Sequence, residues 1–66
     1  MLMNIEAERA RKGMTKERIS NVLGITQTTY NNYISESTPI PSDILLKMGQ
    51  CFGTSIDYLL GLTPAK

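Results

Sequence analysis

An all-α fold of five short helices is what this chain predicts, and three observations carry the prediction. Apolar residues recur at three- and four-residue spacing, Ser or Thr stands ahead of the later runs, and Gly closes four of them, at Gly13, Gly24, Gly53 and Gly61. Alternating β patterns, repeats and low-complexity segments are absent from the sequence.

The elements follow in order. Helix one is expected over about residues 4 to 12, with Ile5 and Ala10 inward and Gly13 as its stop. Thr15 caps helix two, about residues 16 to 23, where Lys16, Glu17 and Arg18 fill the first turn and Ile19, Val22 and Leu23 recur at helical spacing. Gly24 ends it in a left-handed turn with Ile25 as an apolar plug, and Thr26 caps helix three, about residues 27 to 34. The loop SESTPIP carries two prolines, after which Ser42 is expected to cap helix four, about residues 43 to 52. That helix should bury Ile44, Leu45, Met48 and Phe52. Ser55 caps a last helix running through Leu60, and the tail after Gly61, LTPAK, should be loose apart from Leu62.

Helix three has two faces. Tyr30 and Tyr33 share one arc, while Gln27, Thr28, Asn31 and Asn32 share another that is uncharged and rich in amides. Gln and Asn donate and accept at once, which matches the paired acceptor and donor on the major-groove edge of adenine; a merely solvated helix more often shows Lys and Glu. With Ile19, Ser20, Leu23, Gly24, Ile25, Tyr30 and Tyr33 at their spacing in TKERISNVLGITQTTYNNY, the chain resembles the helix-turn-helix domains of the phage repressor and Cro type, an XRE-like family. The resemblance takes in nearly the whole chain, from NIEAERARKGMT to PSDILLKMGQCFGTSIDYLLGL. It implies a compact five-helix, lambda-repressor-like DNA-binding domain over residues 1–66, with the motif at about 15–34 and a tail at 61–66.

The resemblance also implies roles for single residues. Lys16 stands at the first residue of helix two, where members often have a Gln that touches a phosphate. Gln27, Thr28 and Asn32 stand where related domains reach base edges, and Asn31 is a further candidate. For Thr28, base contact and plain solvation are equal readings. Thr26 is first a cap, with a hydroxyl and methyl that could also approach the DNA. Two departures from the family matter. Members commonly carry a Glu right after the position of Tyr33, paired with an arginine of helix one, whereas here Ile34 follows and Arg9 is left to Glu36 or to a phosphate. Where relatives often have Gly and several basic residues in the next loop, this chain has Ser35, Glu36, Ser37 and Thr38.

Charge distribution says more than the net charge of +1. Arg9, Arg11, Lys12, Lys16 and Arg18 face a single acid, Glu17, within residues 9–18, a local charge of +4 suited to phosphate contact. A single cysteine, Cys51, and no histidine leave a chain of 66 residues without the usual general bases, metal ligands or phosphate cradles. Neither catalysis, a metal, a cofactor nor a small-molecule ligand is therefore expected, and Cys51 reads as a small core residue. Charges within MLMNIEAERA argue against a signal peptide, so a cytoplasmic location is expected. Ile56 and Leu59 should close the core, leaving Tyr58, Leu60 and Leu62 as the candidate homodimer surface. The whole predicts a double-stranded DNA-binding transcriptional regulator, a repressor of bacterial or phage type. The alternative is a protein-interaction module of the same fold, antitoxin-like, with weak or lost DNA binding.

Overall fold

Five α-helices make up residues 1–62, the part of the chain described by the computed structural model: α1 Met3–Arg11, α2 Lys16–Leu23, α3 Gln27–Ile34, α4 Ser42–Phe52 and α5 Ile56–Leu59. The expectation of a loose tail falls, beyond Leu62, on residues 63–66, which lie outside the described part. Thr15, Thr26 and Ser55 each accept a backbone N–H three residues on, from Arg18, Thr29 and Tyr58, at 3.1 Å.

Ser42 does not cap. It is the first helical residue, because Pro41, at φ −62° and ψ 151°, stands outside the helix while its carbonyl already accepts from Leu45 N at 3.0 Å. Helix α1 likewise begins at Met3, one residue early, and Leu2 N donates to the Ile34 carbonyl at 2.8 Å, joining the start of α1 to the end of α3. Helix α5 stops at Leu59, with Leu60 as its cap.

Each helix contributes to one core of Ile5, Ile19, Leu23, Tyr30, Tyr33, Ile34, Ile44, Met48, Phe52 and Leu59. Helix α1 packs on α3 and α5, α2 on α3 and α4, and α4 on α5. Four inward expectations fail. Ala10 is exposed because it lies about 140° around α1 from Ile5, and the buried position is taken by Glu8 instead. Val22 is exposed, standing about 100° around α2 from Leu23. Leu45 and Ile56 are only half-buried, at the margins of the core. Cys51 is half-buried against the core, with its Sγ 4.0 Å from Met14 Sδ.

The helix ends share one device. After α2, Gly24 at φ +73° lets Gly24 N and Ile25 N turn back to the carbonyls of Asn21 and Ser20, at 3.2 and 2.9 Å. The same pair of bonds closes α3, from Glu36 N to Tyr33 O at 3.1 Å and Ser37 N to Asn32 O at 2.9 Å, but the left-handed residue there is Glu36, at φ +66°. Among the described residues it is the one non-glycine with positive φ. An L side chain in that conformation costs about 1 kcal/mol or more. The Glu36 carboxylate is paired with the Met1 ammonium at 2.8 Å on the surface, where such pairs contribute about 0–1 kcal/mol.

Comparing Glu36→Gly with Glu36→Ala isolates the backbone, since both lose the ion pair and only glycine relieves the turn. The glycine variant should be the more stable by about 1 kcal/mol in urea unfolding. Equal stabilities would show that the turn is unstrained.

Candidate nucleic-acid interface

At about 100° per residue, Gln27, Asn31, Thr28 and Asn32 follow one another around α3 over an arc of about 140°. All four are exposed, while Tyr30, Tyr33 and Ile34 fill a separate arc of about 100° and are buried. Among the described residues, none of the four side chains donates or accepts a hydrogen bond within the protein, so their amide and hydroxyl groups face outward uncommitted. The Thr26 hydroxyl is committed: its oxygen accepts from Thr29 N and its proton goes to Thr29 Oγ1 at 2.9 Å.

Behind the arc stands an acidic residue that the sequence reading overlooked. Tyr30, fully buried, donates its hydroxyl to Glu6 Oε2 at 2.5 Å. Arg9 holds the same carboxylate through Nε at 3.2 Å and its terminal nitrogen at 3.0 Å, and donates with its other terminal nitrogen to the Met14 carbonyl at 2.6 Å. The partner of Arg9 is thus Glu6, while Glu36 binds the N-terminus and Ile34 is buried in the core. The bond to Arg9 holds Glu6 below the usual carboxylate range against the opposing effect of burial, helped by Tyr30 and by the charges of Arg9 and Lys16. Burial and the bond to Glu6 push the Tyr30 hydroxyl well above the ordinary tyrosine range.

A second acid was overlooked in the same way. Glu8 is buried, accepts from Arg11 at 2.6 Å and from the Tyr58 hydroxyl at 3.2 Å, while Asn4 Nδ2 donates to the Tyr58 carbonyl at 2.6 Å. These two hydrogen bonds of Tyr58 tie α5 to α1. Glu6–Arg9 and Glu8–Arg11 both have the i, i+3 spacing that lets side chains meet on a helix, and that spacing was the available signal.

These pairs change the electrostatics. Counted from Glu6 to Arg18, five basic side chains meet three acidic ones, for a net +2. Lys12, Lys16 and Arg18 are exposed and enter none of the ion pairs among the described residues. Lys16 acts on Glu6, whereas Lys12 and Arg18 line an open hollow of about 670 Å³ at the turn between α1 and α2, with Glu17 and Asn21. Leu60 is half-buried and Leu62 is 71% exposed. Among the described residues there is no group of three or more His, Cys, Asp or Glu that could hold a metal, and no helix is long and apolar enough to cross a membrane.

Two short helices joined by a left-handed glycine, with the second presenting a polar outer arc, define a helix-turn-helix domain. The chain belongs to the helix-turn-helix family of the repressor and Cro type, whose family model matches residues 5–59. It is 36% identical over 50 residues to an uncharacterised HTH-type transcriptional regulator, YobD, of Bacillus subtilis (strain 168). That alignment covers 76% of this chain and 45% of the relative, so the match spans less than half of that curated protein. No solved structure matches the chain.

Because Glu6 is more acidic in the folded state than in the unfolded one, its contribution to stability is present above its usual value of 4.5 and is lost as pH falls through the lower folded value. Urea unfolding between about pH 6 and pH 3 should show wild type losing more stability than Glu6→Gln, the two curves converging at the acid end. Parallel curves would remove Glu6 from the acid response.

Proposed function

We propose that the chain binds double-stranded DNA as a homodimer, lays α3 in the major groove, and acts as a transcriptional repressor. The uninterrupted outward arc of Gln27, Asn31, Thr28 and Asn32, with no internal hydrogen bond on any of these side chains, carries the reading. Groups left unpaired by their own protein are available to base edges, and Gln and Asn match adenine there. Lys16 serves as a phosphate clamp at the start of α2, with Lys12 and Arg18 adding positive charge from the flank. Arg9 serves within the protein, because all three of its guanidinium nitrogens already donate, to Glu6 and to the Met14 carbonyl. Arg11 shares its charge with Glu8, and the part assigned to Thr26 is the cap. Repression needs only occupancy of a promoter, whereas activation needs a second surface for polymerase.

Selection from a random duplex pool should enrich a near-palindrome with half-sites about 34 Å apart. On the selected site, Gln27→Ala and Asn32→Ala should each cost about 1–3 kcal/mol while sparing random DNA. Lys16→Ala should instead weaken both and flatten the salt slope by about one unit. An unenriched pool would leave the protein-interaction reading of this fold in possession.

Dimerisation is assigned to the end of α5. Leu60 shares a shallow hollow with Met1, Leu2 and Met3, and Met1, Met3 and Leu62 are each more than 60% exposed. With Tyr58 turned inward to Glu8, the contact falls to Leu60 and Leu62. In sedimentation across a concentration series, Leu62→Glu should shift the protein toward monomer with helical content unchanged. A dimer that tolerates both Leu62→Glu and Leu60→Glu would place the contact elsewhere.

A further inference from the structure

The outward arc of α3 and the buried ring of Tyr30 belong to one rigid helix, so whatever fixes Tyr30 fixes the direction in which Gln27, Thr28, Asn31 and Asn32 point. The hydrophobic driving force is non-directional, so it does not by itself specify how far a helix is rolled about its axis. The Tyr30 hydroxyl adds a directional restraint at mid-helix through its 2.5 Å bond to Glu6, beside the Leu2 N to Ile34 carbonyl bond at the end of α3. Glu6 is itself held by Nε and one terminal nitrogen of Arg9, whose other terminal nitrogen donates to the Met14 carbonyl in the turn before α2. One chain of directional bonds therefore runs from the entry of α2, through α1, to the middle of α3.

The magnitude is instructive. With side-chain tips about 5–6 Å from the helix axis, a roll of about 10° displaces them by about 1 Å. A paired amide-to-base contact works over only about 2.7–3.2 Å and is lost by such a shift, whereas a long lysine follows a phosphate through it. Resting on the proposed reading of DNA by α3, we propose that Glu6 is a positioning residue: acting through the Tyr30 hydroxyl, it sets the roll of the recognition helix and thereby base discrimination, without touching DNA itself.

Tyr30→Phe is the direct test, since it keeps the ring in the core and removes only the directional bond. Binding is measured well below the unfolding midpoint, on the selected site and on random duplex. The selected-to-random affinity ratio should fall about tenfold while random-duplex affinity stays within about twofold. Glu6→Ala should give a similar loss, Glu6→Gln should recover part of it by keeping an acceptor oxygen, and the Glu6→Ala, Tyr30→Phe double variant should lose no more than either single one. On the free protein, residual dipolar couplings of α3 relative to α1 should change in Tyr30→Phe. A folded Tyr30→Phe with an unchanged ratio, unchanged couplings, or losses that add in the double variant would overturn the assignment. A wild-type protein that shows no preference among duplexes would instead overturn the DNA reading, and this assignment with it.

Discussion

A tyrosine ring is a large apolar group with one polar atom at its tip, and burying it whole is favourable only if that atom keeps a partner. Leaving a buried hydroxyl unpaired costs about 1–3 kcal/mol, a sizeable share of the roughly 5–15 kcal/mol by which a small domain is stable. Tyr30 is fully buried and answered by Glu6, and the rest of the arrangement follows from that need. A carboxylate in this position must be neutralised, which occupies Arg9; Arg9 then has a donor left over, which the Met14 carbonyl takes. One chain of hydrogen bonds thus joins α3, α1 and the turn that leads into α2. The family resemblance implies an acid right after Tyr33 as the partner of Arg9; in this chain the partner is Glu6 of the same helix, and Ile34 joins the core.

The turns obey a second constraint, one of handedness. Gly13, Gly24, Gly53 and Gly61 follow α1, α2, α4 and α5 in left-handed conformations, and Glu36 holds the same place after α3. Helix direction at these corners is decided by backbone geometry rather than by side-chain contacts, which explains why the corners were readable from glycine alone. Glu36 was the corner that glycine could not announce.

The motif itself was legible at both helices, Lys16–Leu23 and Gln27–Ile34, because caps, a left-handed stop and apolar spacing all act within a few residues. The outer arc was legible for the same reason, since helical geometry alone groups Gln27, Thr28, Asn31 and Asn32. What escaped was either marginal or non-local. Ser42 looked like a cap, yet Pro41 at the preceding position decided the boundary. Val22 and Ala10 had apolar character but the wrong angle, and angle relative to the core is fixed only once helices pack. Glu6 and Glu8 had a local signal in their i, i+3 spacing to Arg9 and Arg11, but their contacts with Tyr30 and Tyr58 span 24 and 50 residues and are not readable from spacing. Two arginines of the basic stretch are nonetheless paired locally, Arg9 with Glu6 and Arg11 with Glu8.

The four side chains on the outer arc of α3 hold no part of the fold together. Exposed substitutions that sever no contact usually change stability by less than about 0.5 kcal/mol. Whatever the arc recognises can therefore be exchanged almost independently of folding. After duplication, a daughter copy could drift to a new target through changes at these positions without passing through a poorly folded ancestor, while Tyr30, Glu6 and the corner residues remain under a wholly different kind of selection.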